Sequence, residues 1–166
     1  RDGGVTFPTA GDAVSVPQGF VLLSNDTAAL AALAISNATL IFANWTTRLL
    51  ATEVTLRNNG KFALAPAFTT NQMSNRVWIV CTNLTVETNG AIVADAKGYT
   101  GGAAYADGQG PGAGRSNAGG GPGGGEGGGY GGRGGNYGSG GGPSYGATNA
   151  PTAPGKLNMT VAAGNR

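Results

Sequence analysis

The chain has 166 residues, about one domain's worth, with 33 glycines and a formal net charge of +2. Charged residues make up only 11% of it, against a usual ~25%, so the sequence lacks the clustered lysines and arginines of a nucleic-acid-binding surface. Histidine is absent, which excludes Ser-His and Cys-His nucleophile pairs, His-ligated zinc and imidazole acid–base chemistry. The apolar runs are too short to span a membrane. The sequence therefore predicts a protein that is not an enzyme, with no cofactor, no nucleic-acid partner and no membrane span.

Short strands are predicted in the first part of the chain, and one more near its end. Five segments share the order apolar, hydroxyl, apolar: residues 14–16, 38–40, 54–56, 84–86 and 159–161. Strict alternation of this kind is typical of a strand with one buried face, so the apolar residues are predicted to point inward. The hydroxyl residues between them are predicted to point outward and to stack as one structural column: Ser15, Thr39, Thr55, Thr85 and Thr160.

Residues 54–64 and 84–94 form an internal repeat with an offset of 30. The alignment matches Thr55 with Thr85, Asn59 with Asn89 and Gly60 with Gly90. Similar strands that recur roughly every 20 residues are typical of a solenoid, in which each coil stacks ~4.8 Å from the last. We therefore predict an all-β fold, a β-helix (solenoid) with a long Gly-rich insert. A β-sandwich, which also consists of short alternating strands, is the alternative.

A β-helix would place equivalent turn residues of successive coils side by side. Asn59 and Asn89 are expected to belong to an asparagine ladder at a turn. Gly60 and Gly90 are expected to take positive φ beside them, since glycine adopts that conformation without a steric penalty.

The predicted strands also imply an environment for two charged residues and for the one cysteine. Arg57 is expected beside Glu87 as an opposite-charge pair at the surface. Cys81 is the only cysteine, so no disulfide can form within the chain. It is predicted to be a buried structural thiol in a strand over residues 77–82, with a bridge between two chains as the alternative.

Three stretches of the first part are distinctive: Val14-Ser-Val-Pro-Gln-Gly, Leu33-Ala-Ile-Ser-Asn-Ala-Thr-Leu-Ile-Phe42 and Leu50-Ala-Thr-Glu-Val-Thr-Leu-Arg-Asn-Asn-Gly60. A fourth, Ala94-Asp-Ala-Lys-Gly-Tyr99-Thr-Gly-Gly, leads into a run of glycines. In these stretches the chain resembles the β-helical repeat region of large bacterial extracellular, adhesin-like surface proteins, and it is similar in part to the eight-glycine extracellular β module. The resemblance implies an extracellular and mostly non-enzymatic protein.

A Gly-rich segment separates the predicted strands from the last one. Residues 98–146 hold 25 of the 33 glycines, which divides the chain into a β-helical domain over 1–96, a Gly-rich insert over 97–149 and a C-terminal strand over 150–166. Because backbone polar groups need partners, the insert is expected to pack on the β-helical domain. Its expected anchors are five tyrosines: Tyr99, Tyr105, Tyr130, Tyr137 and Tyr145. The C-terminal strand is expected to complete a coil in this chain or in a neighbouring copy.

The sequence contains five Asn-x-Thr motifs, the acceptor pattern for N-linked glycans. Their asparagines are Asn25, Asn37, Asn44, Asn83 and Asn158. On a strand, residues two apart share a face, so asparagine and threonine would both be accessible. Three of the motifs also contain predicted column threonines, so the repeat alone accounts for those three. We predict glycans on at least two of the five.

These observations favour a secreted structural protein, a subunit of an extracellular filament or surface layer that assembles with copies of itself through exposed strand edges. The alternative is a carbohydrate-binding adhesin module of a larger surface protein, with surface polysaccharide as its partner. A polysaccharide-active enzyme is a weaker third hypothesis, because Glu53, Glu87 and Asp95 are scattered and Glu87 already has an expected partner in Arg57.

Overall fold

A computed structural model describes residues 7–69, 75–103, 106–116, 134 and 141–144, together with the backbone of 158–161. These residues form strands and turns, with no helix in the described part of the chain. The strands are β1 (Ala13–Val16), β2 (Gly19–Leu23), β3 (Leu30–Ser36), β4 (Ala38–Phe42), β5 (Leu49–Arg57), β6 (Lys61–Leu64), β7 (Trp78–Cys81), β8 (Asn83–Val86), β9 (Ala91–Val93) and β10 (Asn158–Val161). The prediction of an all-β protein is confirmed.

The ten strands form two sheets, and every pairing between them is parallel. The larger sheet has the order β1-β3-β5-β7-β10, with β8 also paired to β5, and the smaller sheet has the order β2-β4-β6-β9. From β1 to β6 the chain alternates between the two sheets, so each pass adds one strand to each. The described strands therefore lack the antiparallel pairing that defines the sandwich alternative.

The strand β5 is long enough to pair with two later strands. Its first half pairs with β7, where Leu49 aligns with Ile79, and its second half pairs with β8, where Glu53 aligns with Asn83. The C-terminal strand β10 pairs with β7 of the same chain. This arrangement keeps all six strands in one sheet.

The core lies on one face of each sheet and consists of apolar residues that alternate along the strands. In β4, Ala38, Leu40 and Phe42 are buried, whereas the residues between them are half-buried. The parallel register stacks these positions in rows, so that Leu40 aligns with Phe62 and Phe42 with Leu64. The rings of Phe42 and Phe62 meet edge to face, with centroids 5.7 Å apart and planes at 84°. Burial of each such side chain contributes about 1.5–3 kcal/mol.

The predicted single column of hydroxyl residues is wrong. Thr55 and Thr85 are neighbours on β5 and β8, and Ser15 lies in the same row, separated from Thr55 by Ala34. Thr39 instead lies in the smaller sheet, between Phe20 and Lys61, and Thr160 pairs with Val80. The apolar–hydroxyl–apolar pattern indicates only that a strand has one buried face. It therefore occurs in strands of both sheets and does not predict which strands are neighbours.

The prediction that Gly60 and Gly90 take positive φ is wrong. Asn59 and Asn89 themselves take left-handed conformations, with φ of 62° and 68°, as does Asn37 with φ of 48°. Gly60 and Gly90 do not take positive φ. Gly60 is required for a different reason, because a Cβ at that position would overlap the backbone carbonyl of Ile35. Asn59 and Asn89 do occupy equivalent turns, and their side chains are exposed.

The expected pair of Arg57 and Glu87 does not form. Within the described residues the one ion pair joins Asp26 and Arg48. Glu87 donates its backbone N–H to Leu56, which puts it next to Arg57 in register, but both side chains are exposed and solvated. Such side chains gain little from contact, because immobilising them offsets a Coulomb attraction that water already weakens.

The chain divides into two compact units. The first comprises Arg1–Ala65, Arg76–Ala94 and Leu157–Arg166, and it contains all ten strands. The second comprises Pro66–Asn75 and Asp95–Lys156, and so includes the Gly-rich segment.

In the second unit, Phe68 and Tyr99 form a parallel bridge, and their ring centroids lie 4.6 Å apart. Asn75 is fully buried and donates to the carbonyls of Pro66 and Lys97, each at 2.7 Å. Tyr99 thus packs within its own unit. The other four predicted anchors lie outside the described residues: Tyr105, Tyr130, Tyr137 and Tyr145. Nothing helical in the described ranges is long and apolar enough to cross a bilayer.

Candidate functional site

Among the described residues, nothing covers the apolar interior at the strands β1 and β2, which we call the β1–β2 edge. Val14, Val16 and Leu23 point inward but are only half-buried, and Val21 is 36% exposed. Their partners on β3 and β4 are almost fully buried, which fits a layer that has a neighbour on one side only. Because β1 and β2 are end strands in the sheet order, no described strand covers them.

The outer face of β2 is also apolar and its backbone is open. Phe20 is 82% exposed and Leu22 is 63% exposed. The carbonyl of Leu23 accepts a hydrogen bond from the N–H of Ala43, beyond the end of β4, at 3.0 Å. Since the N–H and C=O of successive residues of a strand point in opposite directions, those of Phe20 and Leu22 point away from β4. These groups form a row without partners in the described part of the chain, which is a template for another strand.

The far end of the larger sheet is shared by β8, which pairs with β5, and β10, which pairs with β7. We call the end formed by β8 and by β9, the last strand of the smaller sheet, the β8–β9 edge. Val86 is 45% exposed there, and Leu84 and Ile92 are only partly buried against the core. The N–H of Ala91 binds the carbonyl of Gly60 at 3.1 Å, so the backbone groups of Ile92 point away from β6. The two edges carry equivalent apolar rows, because Val21, Phe62 and Ile92 lie in one row across the smaller sheet.

A second feature is a cluster of arginine and tryptophan side chains, which we call the cation–aromatic cluster: Trp45, Arg48, Arg76 and Trp78. The guanidinium carbon of Arg76 lies 3.7 Å from the ring centroid of Trp78 and 5.3 Å from that of Trp45. Arg48 lies 5.6 Å from the ring centroid of Trp78. Burial lowers the pKa of Arg76, because the charged guanidinium has lost part of its hydration.

Arg48 is held by Asp26, whereas no such partner of Arg76 lies in the described part of the chain. Nε and Nη2 of Arg48 donate to Oδ2 of Asp26 at 2.8 and 2.6 Å. The Arg48 side chain and, next, its backbone N–H hold the pKa of the Asp26 carboxyl below its ordinary value, by hydrogen bonds to the charged form. Among the described residues Arg76 makes neither an ion pair nor a side-chain hydrogen bond.

A depression of about 510 Å³ lies against this cluster. Its lining consists of Ser24, Asn25, Asp26, Thr46, Thr47, Arg48 and Trp78. It forms because the loop after β2 lies beside the loop after β4: Nδ2 of Asn44 donates to the carbonyl of Ser24 at 2.7 Å, and Oγ1 of the buried Thr47 donates to the same oxygen at 3.3 Å. The depression is therefore rich in hydroxyl and amide groups, with one indole ring in its wall.

The motif asparagines Asn25, Asn37, Asn44 and Asn83 are all exposed. Asn83 donates to Oε1 of Glu53 at 2.6 Å, which gives Glu53 a structural partner. Asn37 makes no side-chain hydrogen bond in the described region. The side chain of Asn158 lies outside the described residues.

Cys81 is buried, with 3% of its surface exposed, at the end of β7, as predicted from the sequence. Burial and, to a lesser extent, the negative charge of Glu53 raise the pKa of its thiol. Within the described ranges, no three metal-ligating side chains of the His, Cys, Asp or Glu type lie together.

Sequence reasoning missed the cation–aromatic cluster. Arg76 and Trp78 are two residues apart, the spacing that puts side chains on one face of a strand, and this signal was available. A total charge does not reveal such a pair, because it does not say where the charged residues lie. The approach of Trp45 to Arg76 carried no comparable signal, because the two lie in different loops far apart in the sequence.

Comparison of the chain with protein-family models, with curated proteins and with solved structures finds no match. The two strand edges and the cation–aromatic cluster are therefore the candidate functional features of the chain.

Proposed function

We propose that this chain is a non-enzymatic, extracellular structural protein whose copies add end to end into a filament or surface layer. The observation that carries the proposal is the β1–β2 edge, where no described residue covers the apolar interior or pairs with the outer row of backbone groups. Burial of apolar surface would provide the driving force, and strand pairing would fix the register.

The proposal includes a β-helix as the building unit. Two features support it: the chain adds one strand to each sheet per pass, and all neighbours are parallel. The tight turns at Asn37, Asn59 and Asn89 lie at equivalent places in successive passes. A coil of this kind buries its interior only against the coils above and below it, so each end of the stack needs a cover.

The geometry favours head-to-tail addition. The β1–β2 edge of one copy placed on the β8–β9 edge of another continues both sheets with the strands still parallel. Val21 would then extend the row of Phe62 and Ile92. Because the two surfaces differ, each copy keeps one of them free after pairing, and assembly proceeds as an open chain.

Leu22→Pro tests the assembly. The N–H of Leu22 points away from β4, so proline removes a donor that only an added strand would use. We expect fibres of the unchanged chain in negative-stain images, and folded monomers of Leu22→Pro, with the unchanged circular-dichroism spectrum. Leu22→Val, which keeps the donor and β propensity, is the matched control and should assemble.

Two results would contradict the proposal. One is an unchanged chain that sediments as a monomer at every attainable concentration, and the other is Leu22→Pro that still forms fibres. A third arm attaches whatever residues precede Arg1 in the gene. Loss of assembly in that longer chain would mean that those residues cover the β1–β2 edge themselves.

Extracellular location is the second part of the proposal, and glycosylation is its chemical test. We expect N-linked glycans on at least two of Asn25, Asn37, Asn44, Asn83 and Asn158 when the chain is secreted from a cell with the glycosylation machinery. Intact mass is measured before and after enzymatic deglycosylation. A mass of 16.3 kDa in both samples, the value of the bare sequence, contradicts this part.

A further inference from the structure

We propose that the cation–aromatic cluster and the depression beside it bind an acidic polysaccharide, with Arg76 receiving a uronate carboxylate and the hydroxyl and amide groups of the depression receiving sugar hydroxyls. The depression lies in the loops that follow β2 and β4, next to the edge strand β2 but outside the strands that the proposed assembly would pair, so binding can be tested separately from assembly. It gives the protein a ligand as well as a structural role.

Arg76 is the residue of the cluster whose positive charge favours binding of an anion. A guanidinium carries five N–H donors and ordinarily shares them with carboxylates. Here it is half-buried against Trp78 and Trp45 and makes no ion pair or side-chain hydrogen bond within the described residues. Stacking on the two rings restricts the orientation of the group, and no described carboxylate occupies its donors. A ligand carboxylate would therefore meet a donor set that is already ordered, which lowers the entropic cost of binding.

The charge of the cluster favours a ligand with one negative group per repeating unit. Asp26 neutralises Arg48, and Arg76 leaves a surplus of one positive charge in the cluster. Nucleic acids need many cations along their backbone, which the cluster does not provide. A uronic acid polymer, in contrast, presents one carboxylate on each sugar.

The depression favours a sugar over an acidic peptide. Ser24, Asn25 and Thr46 offer short hydroxyl and amide groups that match the hydroxyls of a sugar. The indole of Trp78, on which Arg76 stacks, adds an apolar part to the wall. A peptide anchored by apolar side chains would need an apolar pocket, and the lining contains a single large apolar ring. An acidic peptide is therefore kept as an outcome of the test.

The test measures binding of polygalacturonate by calorimetry, with fully methyl-esterified polygalacturonate as the neutral comparison and polyglutamate as the peptide comparison. We expect the acid polymer to bind and both comparisons to bind at least about tenfold more weakly. Arg76→Gln should lose about tenfold or more in affinity, and Arg76→Lys should retain part of it, since lysine keeps the charge but not the planar donor edge.

Arg57→Gln is the matched control, because Arg57 is an exposed arginine of the same unit that makes no ion pair in the described region. It should bind as the unchanged chain does. Repeating the series on Leu22→Pro separates binding from assembly. The proposal is overturned if the unchanged chain does not bind the acid polymer, if the ester binds equally, if polyglutamate binds equally, or if Arg57→Gln and Arg76→Gln lose the same affinity.

Discussion

Asp26 accepts three hydrogen bonds from Arg48, one from its backbone N–H at 2.7 Å and two from its guanidinium at 2.8 and 2.6 Å. The two residues lie 22 apart in sequence, in the loops that follow β2 and β4. One carboxylate thus ties two consecutive loops together and places Arg48 at the depression. Both side chains remain partly exposed, at 36% and 44%, so water weakens the pair.

Asp26→Asn should lower the thermal midpoint slightly at pH 7, and the gap to the unchanged protein should close in acid. The pKa of Asp26 is lowered in the folded protein, so its stabilisation is fully present above the ordinary value of 3.8 and is lost as the pH falls through the folded value. Thermal unfolding followed by circular dichroism between pH 7 and strong acid measures the gap. A gap that stays constant would contradict this assignment. Glu87→Gln, which removes a carboxylate without an ion pair or side-chain hydrogen bond in the described region, should leave the midpoint at pH 7 unchanged.

Gly60→Ala should destabilise the protein, because the new methyl group would overlap the carbonyl of Ile35 in the neighbouring pass of the chain. We expect a loss near or above the upper end of the ~1–3 kcal/mol that overpacking costs. Gly98→Ala is the control, since nothing lies within 4 Å of a Cβ there. Urea titration measures both variants. Equal stability of the two variants would show that Gly60 and the carbonyl of Ile35 are not in close contact.

Phe62→Ala and Phe20→Ala should have opposite consequences for folding and for assembly. Phe62 is fully buried against Phe42, so truncation should cost about 3–5 kcal/mol. Phe20 is 82% exposed on the same sheet, so truncation should change monomer stability by less than about 0.5 kcal/mol. It should nevertheless weaken assembly if copies meet at the β1–β2 edge. Denaturant unfolding of monomers and sedimentation of assemblies separate the two effects.

Cys81 should resist thiol reagents in the folded protein. Burial both blocks access and raises the pKa of the thiol, so less reactive thiolate is present at pH 8 than for an ordinary cysteine. We expect modification at least about a hundredfold slower than in denaturant, because the reagent must wait for the strand to open. The reagent is an aromatic disulfide, and the rate is followed by the absorbance of the aromatic thiolate that Cys81 displaces from it. Modification of the native protein at the rate of the unfolded chain would place Cys81 at the surface.

Several elements could be predicted from local sequence pattern. The alternation of apolar and hydroxyl residues identified the buried face of β4 and β5, because side chains on a strand with one solvent-exposed face alternate every two residues. In β8, at an end of the sheet, Leu84 is only half-buried and Val86 is 45% exposed. The offset of 30 correctly paired Thr55 with Thr85, since a repeated strand with the same turn repeats its register. Burial of Cys81 followed from its place in an apolar strand.

Other features had no local signal. The strand sequences around Thr39 and Thr55 have the same apolar–hydroxyl–apolar pattern, yet the two strands belong to different sheets. The reason is the turn at Asn37, the single residue between β3 in the larger sheet and β4 in the smaller sheet. Arg57 and Glu87 became neighbours in register without forming an ion pair, since flexible exposed side chains are not fixed by the backbone.

The amino-acid sequence by itself determined that this is a protein of short strands, each with one apolar face, linked by asparagine turns and interrupted by a run of glycines. Those properties are local, because side-chain alternation and left-handed turns depend on residues a few positions apart. Only the tertiary structure decided which strand joins which sheet, left the interior open at β1 and β2, and brought Arg76 onto Trp45 and Trp78. Strand pairing, the open interior and the cation–aromatic cluster depend on contacts between residues far apart in the sequence, which no local pattern encodes.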